Sequence, residues 1–100
     1  MAASKPKAEP AHASRVERIL HDAGAEHVRA RRYGATVITE SGPDDDPLRH
    51  FRLRRDTVHL WCLDMAGHGG RWERTPFRGN LNDLVLQVVE MFPWTLTPTA

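Results

Sequence analysis

A chain of 100 residues, 40% hydrophobic and 27% charged, has apolar material for one core, is too short for two and is too apolar to stay disordered. Its one cysteine, Cys62, excludes an intrachain disulfide, and a formal net charge of +1 excludes a molecule that is basic or acidic throughout. No secretory leader pattern and no run of about 18 apolar residues occurs, so export, membrane insertion and a membrane partner are not expected, and a reducing cytoplasm is.

Residues 1–12 are rich in Ala, Lys, Pro and Glu with little to bury, and read as a disordered tail. Ser14 with Glu17 forms a capping-box pattern, and Val16, Ile19, Leu20 and Ala23 recur at helical spacing before Gly24. Two β-rich runs follow, 26–32 and 35–41, with a tight turn at Tyr33 and Gly34. The segment 41–47 carries Gly42, Pro43, Pro47 and three successive aspartates, all opposed to regular structure.

A second hairpin is expected from runs 48–54 and 57–63 around Arg55 and Asp56, then a glycine loop over 65–70. A short fifth strand over 71–75 is centred on Trp72 and stopped by Pro76. Asn80 is a good N-cap, and Leu81, Leu84, Val85, Val88, Val89 and Phe92 keep helical spacing up to Pro93. The expected fold is α+β, an antiparallel meander of about five strands flanked by an N-terminal and a C-terminal helix. Its domain spans 13–96, with a flexible C-terminus over 97–100.

Few residue groups carry a chemical signal. His59, Cys62 and His68 are zinc-type ligands, but residues three apart on a strand face opposite ways and no further ligand completes a tetrahedral set. Cys62 alternates with Val58 and Leu60 on an expected core face, where a thiol is inert. Asp44–Asp46 lack the spaced ligands of a calcium loop, and the glycines of 67–70 lack the lysine of a phosphate loop. No catalytic residue, metal or cofactor is therefore expected.

Arginine supplies 12 of the 14 basic residues, seven of them between Arg29 and Arg55. Strand alternation puts Arg29 with Arg31, Arg52 with Arg54, and His59 with Trp61. If these faces coincide, guanidinium groups lie beside an aromatic ring, a combination that neutralises phosphates and stacks bases. The alternative places Trp61, Ile38 and Leu63 under a helix, with the arginines at strand ends paired to Glu40 and Asp56. The tail from Phe92 to Leu96, with Trp94, either folds back as core or stays exposed as a contact with a protein or a second copy.

Val37–Glu40 before a proline loop, Phe51-Arg52-Leu53, Trp61–Asp64, Gly70-Arg71-Trp72 and the closing helix with its Phe-Pro-Trp end resemble a group of small bacterial proteins of unknown function. The likeness covers roughly 35–94 and implies a fold but no activity and no site residue. The expected function is a non-catalytic interaction module that buries Trp61 or Trp94 against a protein chain or a second copy, with arginines at the rim. Nucleic-acid binding through Arg29, Arg31, Arg52, Arg54, His59 and Trp61 is the alternative. An enzyme comes third and needs a pocket gathering His59, His50, Arg52 or Glu40.

Overall fold

Alternating apolar residues in the strands and apolar stripes on the helices give this chain one sheet with both helices on one side. The structure, a computed structural model, describes residues 6–97. In order it runs α1 (Pro10–Asp22), β1 (Arg29–Tyr33), β2 (Thr36–Ser41), β3 (Leu48–Arg55), β4 (Trp61–Ala66), a 3-10 turn at His68–Gly70, β5 (Trp72–Gly79), α2 (Leu81–Met91) and a 3-10 turn at Pro93–Leu96. The five strands pair antiparallel in sequence order, so the fold is the expected α+β meander with an N-terminal and a C-terminal helix.

Val16 and Leu20 of α1 and Leu84, Val85 and Val88 of α2 meet Val37, Phe51, Leu53, Trp61 and Leu63 in one core. Each such side chain contributes about 1.5–3 kcal/mol by leaving water. α2 begins as expected, with Asn80 Oδ1 accepting from the Asp83 N–H at 2.9 Å.

α1 starts at Pro10, not at Ser14, because proline suits the first helical position, where its missing N–H costs nothing. Residues 6–12, expected within a tail, begin the fold: Ala8 is buried and its N–H donates to the Gly34 carbonyl at 2.9 Å. The rest of that expected tail, 1–5, and the C-terminal residues 98–100 lie outside the described residues.

Three strand assignments shift, the first being β1, which begins at Arg29 and not at Glu26. β4 begins at Trp61, so Val58, His59 and Leu60 form an exposed turn, and Cys62 faces away from the core. Burying Trp61 and Leu63 removes far more apolar surface than burying the thiol, and that sets the parity. β5 runs through Pro76 to Gly79, because the step from Cys62 to Asp64 on β4 faces the longer step from Arg78 to Arg74. Pro76 falls in that irregular stretch, where no ladder N–H is required. Thr75 Oγ1 donates to the Leu63 carbonyl at 2.8 Å and receives the Phe77 N–H at 3.3 Å.

Candidate functional site

The sheet face away from the helices is read from the register. One row crosses all five strands as Arg31, Ile38, Arg52, Asp64 and Arg74, and the next reads Tyr33, Thr36, Arg54, Cys62 and Arg78. A third joins Arg29, Glu40 and Arg49, with Trp72 opposite Ala66 at the same end. Strands about 4.8 Å apart make this face about 19 Å wide. It carries seven arginines, two carboxylates and two aromatic rings.

Both carboxylates are buried under the arginines. Asp64 Oδ2 accepts from Arg52 Nε at 2.8 Å and from Arg54 Nε at 2.5 Å, while Arg54 Nη2 reaches Oδ1 at 3.2 Å. The side-chain hydrogen bonds to Asp64 push the Arg54 pKa further up, against the opposing effect of burial. Glu40 Oε1 accepts from Arg31 Nε at 2.9 Å, with Arg29 Nε at 3.7 Å, and its buried Oε2 has no hydrogen-bond partner among the described residues.

The anchoring leaves donors to spare. Arg31 and Arg52 reach their carboxylates through Nε, so their terminal nitrogens make no hydrogen bond among the described residues. Arg52 lies over the Trp72 ring at 5.0 Å and Arg49 at 6.0 Å. Arg49, Arg71 and Arg74 are exposed and form no ion pair among the described residues, and all three lie on or beside the strand ends that carry Trp72. Arg78 is tied to Asp56 at the other end of β5.

Arg29, Arg31, Arg52 and Arg54, singled out from sequence, therefore share one face. His59 and Trp61 do not join them. His59 stands exposed in the turn before β4, and Trp61, 2% exposed, points to the helices, edge-on to His12 at 4.9 Å with Arg55 over its ring at 5.6 Å. Trp94 is 67% exposed on the turn after α2, edge-on to Phe92 at 5.6 Å. Ile38 lies on the arginine face, flanked in register by Arg31 and Arg52, not under a helix.

Sequence reasoning missed Trp72, Tyr33, Arg49, Arg74 and Asp64. The parity that groups Trp72 with Arg74 was readable within the strand expected over 71–75, but which face that strand turned to the helices was not, because it follows from its pairing with β4. No group of three or more His, Cys, Asp or Glu able to hold a metal occurs among the described residues, and no helix there is long and apolar enough to cross a membrane. No family model, curated protein or solved structure matches this chain.

Proposed function

We propose that this domain binds single-stranded nucleic acid across the uncovered face of its sheet. The observation that carries the reading is the continuous guanidinium surface around Trp72, with Tyr33 at the diagonal corner. Phosphates would meet the terminal nitrogens of Arg31 and Arg52 and the unpaired Arg49, Arg71 and Arg74, while bases stack on the rings. Buried Glu40 and Asp64 hold guanidinium groups in place before the ligand arrives, which lowers the ordering cost of binding. A single strand suits a flat face with aromatic platforms; a duplex is usually read by an element projecting into a groove, and both helices here lie on the other side. The unpaired Cys62 fits a reducing, cytoplasmic setting.

The test is fluorescence anisotropy of a labelled oligonucleotide of mixed sequence over a series of salt concentrations. Affinity should fall steeply with salt, and Arg49→Ala or Arg74→Ala should each flatten the log–log slope by about 1. Trp72→Ala should weaken binding by about 1–3 kcal/mol while leaving that slope in place. Absence of binding at low salt, or slopes indifferent to the arginines, would overturn the proposal.

A second reading, contact with a protein chain or a second copy, is favoured by the exposure of Trp94 together with Leu86 and Met91. Trp61 cannot anchor it, being in the core. Light scattering on the free protein separates the two, since a dimer lost on Trp94→Ser and indifferent to oligonucleotide supports contact through the C-terminal turn.

A further inference from the structure

β2 carries two buried hydroxyls on its helical side, and only one of them serves the sheet. Thr39 Oγ1 donates to the Phe51 carbonyl at 2.8 Å and receives the Phe51 N–H at 3.1 Å, mending the ladder where the register shifts between Thr39 and Glu40. Ser41 Oγ instead meets His50 Nε2 at 2.8 Å. His50 is the additional β3 residue at that shift, and it is 1% exposed.

The tautomer follows from the far side of the ring. His50 Nδ1 lies 2.6 Å from the Thr95 carbonyl, which can only accept, so Nδ1 carries the proton and Nε2 offers its lone pair to the Ser41 hydroxyl. Burial pushes the His50 pKa down, outweighing the opposing Thr95 contact, and keeps the ring in its basic form at neutral pH. Ser41 also walls a cleft of about 550 Å³ with His27, Gly42, Pro43, Asp46, Pro47 and Leu48, a size that suits a small ligand.

We propose that this cleft is an ester-hydrolysing site in which Ser41 is the nucleophile and His50 the general base, acting on small esters with a short apolar acyl group. The cleft borders the arginine face, since Arg29 Nη1 donates to the Gly42 carbonyl at 2.7 Å, but no arginine lines it. The Ser41 Oγ bonds to the ester carbonyl carbon as its proton passes to His50 Nε2. The carbon–oxygen bond to the alcohol then breaks, and His50 returns that proton to the leaving alkoxide. Water then attacks the acyl-serine as it gives a proton to His50 Nε2, and the Oγ–carbon bond breaks as His50 returns that proton to Oγ, releasing the acid and restoring the hydroxyl. The Thr95 carbonyl positions the imidazole without touching substrate. Two prolines and Leu48 supply the apolar wall for the acyl group.

The test uses the full chain with p-nitrophenyl acetate and, separately, a fluorophosphonate, followed by peptide mapping by mass spectrometry. The expected result is a group attached to Ser41, absent in Ser41→Ala, strongly reduced in His50→Gln and unchanged in Glu90→Gln, a change at an exposed position of α2. Near-UV circular dichroism establishes that each variant is folded, and Ser41→Ala alone decides the matter if His50→Gln does not fold. Long-range proton–nitrogen spectra should find His50 protonated at Nδ1. A folded wild-type chain with no group on Ser41, whether unlabelled or labelled elsewhere, or a His50 protonated at Nε2, overturns the proposal.

Discussion

Asp64 has no exposed surface and lies under two guanidinium groups. A lone buried carboxylate would be costly, but Arg52 and Arg54 together satisfy both of its oxygens. Removing the acid strands the arginines, each only 24% exposed at the side chain. Asp64→Asn should therefore destabilise the fold by about 3 kcal/mol, read as a lower urea midpoint. An unchanged midpoint would mean that the two guanidiniums find water without cost. Sequence reasoning reached Glu40 as a partner for the arginines but not Asp64, because the choice depends on which β4 parity faces the core. Trp61 and Leu63 settle that parity through the area they bury, and Asp64 follows on the other side.

Of the elements, α2 was the most legible, since a capping residue, an unbroken apolar stripe and a terminal proline all agree on its limits. β5 was the least, because Pro76 reads as a strand stop, whereas β5 is an edge strand with an irregular pairing to β4, where proline is tolerated. Thr75 makes that irregularity tolerable by bridging the Leu63 carbonyl and the Phe77 N–H. Thr75→Val keeps the branched shape and removes the hydroxyl, and should cost about 1–2 kcal/mol. Faster hydrogen exchange at the Phe77 amide is the specific readout. The candidate interface depends on the same strand, since Trp72 and Arg74 reach the open face only if β5 pairs in this register.

In the molecule as a whole, histidines tie regions distant in sequence. His12 of α1 sits against Trp61, and burial followed by the nearby Arg55 pushes its pKa down; His50, also pushed down, holds the turn that follows α2. Each group binds a proton more readily unfolded, where its pKa is near 6.5, than folded. Stability is therefore fully present above about pH 6.5 and declines as pH falls from there through the lower folded values. Urea midpoints measured from about pH 7.5 to about pH 5.5 should drop, and His50→Gln should flatten the decline. A wild-type midpoint constant over that window would contradict the sign.

The two rims of the sheet bear on how any macromolecule could approach. At β1 the Ala30 N–H, a group a visiting strand would pair with, lies 3.4 Å from the Glu17 carboxylate of α1. At β5 the proline removes a donor and the irregular pairing bends the outer backbone. With both borders blunted, the sheet resists extension by strand addition, so copies of this chain should not polymerise edge to edge even when concentrated. Recognition is left to side chains, where a single substitution can be expected to change a partner's affinity without opening a route to fibres.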